Sequence, residues 1–244
     1  QSEIYRLQKG QAQPHVYSED IAKIKIPLPP KEIQRKIVSE IEKIETKGKL
    51  AKDRITKNTG EIEKLFEAAY KTASTRYRLS DNDAFSLSIG KRVLEHDLAS
   101  NGTVPVYSAN VLEPFGNVNK LLIKDFSSPS VLWGIDGDWM VNYVPENKHF
   151  YPTDHCGVLR VLNKNIQPKY LAWCLRKEGQ MIGFSRKLRA SIDRIAGITI
   201  KVPSITKQCE IISKIETLEK RTEKLEKIIS KSEMQKKTVL EKYL

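Results

Sequence analysis

The chain has 244 residues, room for one or two domains, and carries 42 Lys and Arg against 30 Asp and Glu, a net charge of +12. That excess points to a polyanionic partner, most often nucleic acid. No apolar run reaches the roughly 20 residues that span a bilayer, which excludes a membrane-spanning helix. Cys156, Cys174 and Cys209 are too few and too scattered for a disulfide framework or a zinc site, and so fit a reducing, cytoplasmic compartment.

In chain order, Gln1 to Leu7 reads as the end of a helix, and Gly10 to Val16 as a loop punctuated by Pro14. The sequence opens in mid-pattern without Met, so Gln1 to Asp20 is expected to be the tail of a preceding part. Ser18, Glu19 and Asp20 are placed to cap a short turn.

The organising feature comes next. Ile21 to Glu45 (IAKIKIPLPPKEIQRKIVSEIEKIE) recurs without a gap as Ile195 to Glu219 (IAGITIKVPSITKQCEIISKIETLE), an offset of 174 residues. Each copy predicts a half-buried strand of alternating Ile, then a proline turn, then a helix, because proline cannot donate to a ladder but fits the start of a helix. Apolar positions then step by four and three through Ile37, Ile41, Ile44, Gly48, Ala51, Ile55, Asn58, Ile62, Leu65 and Ala69. The second copy answers with Ile211, Ile215, Leu218, Thr222, Leu225, Ile229, Ser232, Lys236, Val239 and Tyr243. Sustained heptads predict a coiled coil of two helices packed on each other, each about 40 residues and on the order of 60 Å long. Gly48 and the Asn58-Thr59-Gly60 run are the places where the first helix is expected to break.

Between the helices the composition trades Lys/Glu periodicity for Ser, Asp and Asn at 74–83, and a mixed, strand-rich domain is expected. Phe85–Ile89, Val104–Tyr107, Leu121–Ile123, Val131–Trp133, Met140–Val144 and Val158–Leu162 read as strands separated by glycines. Pro168 opens a helix to about Lys177, and a short helix at Ser191–Ala196 leads into a strand at Ile198–Val202. The expected architecture is α+β: a mixed α/β domain flanked by two long α-helices that form an antiparallel coiled coil.

The junctions IPLPPKEIQRKI (Ile26 to Ile37) and IKVPSITKQCEII (Ile200 to Ile212) resemble those of the specificity subunit of type I DNA restriction-modification enzymes. The second departs from the first with Ser204 in place of Pro30. The insert adds VPVYSANV, WGIDGDW, FYPTDHCGVLRV and SRKLRASIDRI, which also look like such a target recognition domain. The resemblance implies a preceding-domain tail at 1–30, a central helical region at 31–76, a target recognition domain at 77–204 and a C-terminal helical region at 205–244. It implies a non-catalytic chain without cofactors of its own, which binds double-stranded DNA and two methyltransferase subunits, and through them an endonuclease/translocase subunit. The same module fused to an N6-adenine methyltransferase would carry the same residues.

DNA contact is expected from two loops. SRKLRAS offers Arg186, Lys187, Arg189 and Ser191, with Arg194 beyond, a chemistry suited to phosphate oxygens or guanine edges. The YSAN loop offers Tyr107, Ser108 and Asn110, and asparagine can pair bidentately with adenine. Blander roles compete: a solvated basic turn for the first, backbone capping for Asn110. Trp133 and Trp139 are expected to pack, as are His155 and Cys156. Two further classes compete. Asp136 with Glu146-Asn147-Lys148 has the residue types of a metal-dependent nuclease, but Pro145 predicts a turn there. A coiled-coil scaffold leaves the basic stretch from Arg176 to Lys201 unexplained.

Overall fold

The computed structural model describes residues 6, 16–24 and 28–243. Each copy of the repeat becomes a long helix at its proline. Helix α1 is Ser18–Ile21 and α2 runs unbroken over Lys31–Thr72. The central elements are β1 (Thr75–Arg78), β2 (Phe85–Ile89), β3 (Val104–Tyr107), β4 (Gly116–Val118), β5 (Ser130–Gly134), β6 (Val141–Val144), β7 (Tyr151–Pro152) and β8 (Cys156–Val161). Helix α3 (Pro168–Ile182), α4 (Ile192–Ala196), β9 (Thr199–Val202) and α5 (Ile205–Tyr243) complete the order. The expected break at Gly48 or Gly60 does not occur. A β-carbon at either position would meet nothing within 4 Å, so each glycine lowers helix propensity without being required by packing.

By contacts the chain divides into residues 1–56 with 222–244, and residues 57–221. In the first unit the helices run antiparallel. Glu40 accepts from Tyr243 Oη at 2.7 Å and Lys242 Nζ at 3.2 Å, whereas Glu45, further along α2, meets Lys236, earlier in α5, at 3.5 Å. Ile37, Ala51 and Val239 are buried on the predicted stripe, and Gly48 faces a shallow groove with Ile44, Ile229 and Ser232. The first-copy strand is corrected in part: Ile21 ends α1, and residues 25–27 lie outside the described residues.

In the second unit, three sheets share one body. The main sheet has the order β2-β8-β5-β6, all antiparallel, with β5 buried along its whole length. A second sheet orders β4-β3-β7, with β3 parallel to β7, and β1 pairs with β9 as a ribbon. The main core brings Ile62, Phe66 and Ala69 of α2 together with Ile211, Ile215 and Leu218 of α5, around Trp133, Tyr170 and Leu171. Seam positions of both helices thus pack against the central domain, where burial of large apolar side chains contributes roughly 1.5–3 kcal/mol each. Leu121–Ile123 is not a strand. Leu122 and Ile123 pack into two different clusters, so the triplet has no ladder to join.

Proline, glutamine and helix start act together at each junction. Gln34 Nε2 donates to Pro29 O at 2.7 Å, and Gln208 Nε2 donates to Pro203 O at 2.8 Å. Ser204, the departure from Pro30, sits where a helix N-cap belongs and accepts weakly from Lys207 N at 3.4 Å. Gln208 is fully buried and also binds Asn165 O, while its Oε1 accepts from Gln167 N just before α3. The junction thereby fixes the start of α3, the helix that delivers the basic loop.

Candidate nucleic-acid interface

Five segments converge at one end of the main sheet. Antiparallel pairing puts the end of β2, the end of β5 and the start of β8 side by side, with Ile89 opposite Gly157 and Gly134 opposite Cys156. Backbone contacts then link the loops. Lys91 N donates to Pro152 O at 3.2 Å, Thr153 N to Tyr107 O at 2.8 Å, Ile135 N to His155 O at 3.0 Å, and Ala190 N to Ile135 O at 2.9 Å. The YSAN loop lies so close to β5 that a β-carbon at Gly134 would come within 2.2 Å of Ala109 O.

The basic loop is built as a turn. Ser185 and Leu188 exchange two backbone hydrogen bonds at 3.0 Å, which leaves Arg186 and Lys187 exposed at the tip. Behind it, Trp133 Nε1 donates to Ala190 O at 2.9 Å from a fully buried ring. That ring lies where a β-carbon at Gly157 would sit, 2.0 Å from Cε2. Arg194 Nη1 donates to Arg189 O at 2.7 Å, so Arg194 also props the loop, and Ser191 stands at the start of α4 with no capping bond from its hydroxyl.

The Arg189 side chain is 59% exposed, and its Nε and Nη2 both meet the Asp136 carboxylate, Nη2 to Oδ2 at 3.1 Å. His155 Nδ1 binds the same carboxylate. Partial burial pushes the Asp136 carboxyl up, but hydrogen bonds from His155 and Arg189 and the guanidinium charge outweigh it, and the group is held below the usual carboxylate range. The expectation that His155 packs internally is therefore corrected: its side chain is 47% exposed and lies on Asp136. Cys156 does pack, fully buried, as does Trp133, while Trp139 lies partly buried with its Nε1 on Arg176 O at 2.9 Å.

The YSAN residues divide. Tyr107 sets its ring edge-on to Phe150 with centroids 6.4 Å apart and belongs with the second core cluster. Ser108 Oγ accepts from Thr153 Oγ1 at 3.1 Å. Asn110 Oδ1 accepts from both Leu112 N and Glu113 N, at 3.0 and 3.2 Å. With both lone pairs occupied, the bidentate adenine pairing is not available in this conformation, and Asn110 shapes its loop instead. Two cations the sequence reading passed over, Lys91 and Arg92, stand exposed beside the YSAN and His155 segments. The only signal for them is their place directly after a strand. The nuclease arrangement does not form: Asp136 is occupied by Arg189 and His155, and Glu146 lies in the turn where Asn147 adopts φ 59°. Among the described residues no three His, Cys, Asp or Glu side chains converge as metal ligands would, and no helix is long and apolar enough to cross a membrane.

The family model for the type I restriction modification DNA specificity domain matches residues 1–58 and 82–233. The chain belongs to that family. A Mycoplasma pneumoniae protein named as a type I specificity subunit is 25% identical over 230 residues, covering 89% of this chain and 90% of its own. Another from the same organism, also named as a type I specificity subunit, is 29% identical over 160 residues, 64% of this chain and 52% of its own. The crystal structure of the type I restriction-modification S subunit of M. genitalium matches with a TM-score of 0.63 at 15% identity, over 100% of this chain and 69% of that one. The HsdS subunit of Thermoanaerobacter tengcongensis matches at 0.55 and 16%, over 99% and 67%. These two structures share the fold. The chain spans about half the length of some of the specificity subunits it matches, 52% in the example above.

Proposed function

We propose that this specificity-family chain reads double-stranded DNA with the loop end of its 77–204 domain, as part of a type I restriction-modification specificity subunit. The observation that carries the reading is the convergence of Lys91, Arg92, Arg186, Lys187 and Arg189, on loops held by backbone bonds to Ile135 just after β5 and to Pro152 of β7, with Arg194 of α4 at one end of the sheet. Asp136 lies on Arg189 and His155, Asp154 lies by His155, and Asp193 is in the first turn of α4, so the surface is mixed. Cations on the rim suit phosphates, and a polar centre suits base edges. The segments 31–76 and 205–244 serve as helical regions that dock two methyltransferase subunits, and an endonuclease/translocase subunit acts through them. The chain itself is non-catalytic.

The test is to delete the gene in its host and sequence the methylome, while purifying the intact protein with whatever accompanies it. The expected result is loss of one bipartite methylated motif and co-purification of methyltransferase subunits. An unchanged methylome would overturn the proposal.

A further inference from the structure

We propose that Arg189 reads a guanine at the DNA target, and that Asp136 is the positioning residue that aims it. The inference rests on the reading of the loop end as a DNA surface and assigns the chemistry within it.

A guanidinium has two hydrogen-bonding edges. Arg189 gives its side edge, Nε and Nη2, to the two oxygens of Asp136. Its other edge, the fork formed by Nη1 and the second Nη2 proton, is left pointing away from that carboxylate, as the planar geometry of the group dictates. This fork matches the O6 and N7 acceptors of guanine in the major groove. The arrangement is rigid at both ends. Asp136 is held by His155, whose own carbonyl accepts from Ile135 N at 3.0 Å. The Arg189 main chain is held by Arg194 Nη1 on its carbonyl at 2.7 Å, and the next residue, Ala190, is pinned by Trp133 and Ile135. A side chain held in this way loses little further freedom on binding, which favours specificity.

Charge separates guanine from phosphate as the target. A phosphate approaching Arg189 would meet the Asp136 carboxylate that already partners it, whereas guanine N7 and O6 are uncharged acceptors. Among the described residues no carboxylate pairs with Arg186 or Lys187, at the tip of the Ser185–Leu188 turn, and the two suit phosphates. The loop thus divides labour: two exposed cations for position, one buttressed arginine for sequence.

The experiment uses the intact subunit assembled with its methyltransferase, and measures binding to a panel of duplexes in which each base pair of the target is varied in turn. Arg189→Ala is expected to erase roughly 10- to 100-fold of discrimination at one G·C pair and leave the others intact. Arg189→Lys, which keeps the charge but not the fork, should lose the same discrimination. Asp136→Asn should relax the same base pair with an unchanged melting temperature, a readout that a purely structural role would not move. Lys187→Ala should weaken every duplex alike. If Arg189→Ala also weakens every duplex alike, Arg189 is a phosphate contact and the inference fails, although the DNA reading stands. If Asp136→Asn leaves discrimination at that pair unchanged, its positioning role fails. A wild-type assembly that discriminates no sequence would instead defeat the DNA reading itself.

Discussion

Gln208 and Pro203 are joined side chain to main chain at 2.8 Å, and 174 residues earlier Gln34 and Pro29 make the same bond at 2.7 Å. The two bonds sit in different surroundings. Gln208 is fully buried and also holds Asn165 O and Gln167 N, whereas Gln34 is only half-buried. Gln208→Ala should therefore cost about 3 kcal/mol, because it strands buried partners, while Gln34→Ala should cost about 1 kcal/mol. Denaturant unfolding of both variants checks this; equal small losses would show that the buried network contributes nothing beyond the turn bond.

Gly48 is a stability reserve in α2. With nothing within 4 Å of its absent β-carbon, Gly48→Ala should gain about 0.5–1 kcal/mol through helix propensity alone. A rise in the denaturation midpoint without a change in slope is the expected observation.

Gly157 is the opposite case. Its missing β-carbon makes room for the Trp133 ring, which in turn holds Ala190 of the basic loop. Gly157→Ala should cost at least about 1–3 kcal/mol by overpacking and should weaken DNA binding although residue 157 is buried. Tryptophan fluorescence and the melting temperature report the first effect, duplex titration the second. A variant with native stability would mean that the ring relaxes without strain.

The helices were legible because heptads are local: the stripe positions from Ile211 to Tyr243 are all buried or half-buried while most residues between them are exposed, and even polar Ser232 and Lys236 follow the stripe. Five of the six strands expected between Phe85 and Leu162 were legible within a residue or two, because alternation is local too. Strand β1 was not, since TRYR is exposed at three of its four positions and shows no apolar signal. The site was legible only in parts. Arg186, Lys187 and Arg189 announced themselves as a basic run, but the Asp136 partner of Arg189 lies 53 residues away, and no local pattern encodes that. His155 was misread although strand alternation contains the correct answer: with Cys156 pointing inward at the start of β8, its neighbour points outward.

Contact between the loop end of the sheet and duplex DNA would register in the salt dependence of binding. Each phosphate contact contributes about 0.9 to the slope of log K against log salt. The intact protein carrying Lys91→Ala, Arg92→Ala, Arg186→Ala and Lys187→Ala together should bind every duplex more weakly, with a slope reduced by about 3 to 4 and an unchanged melting temperature. A folded quadruple variant that keeps the wild-type slope would place the DNA surface elsewhere on the molecule.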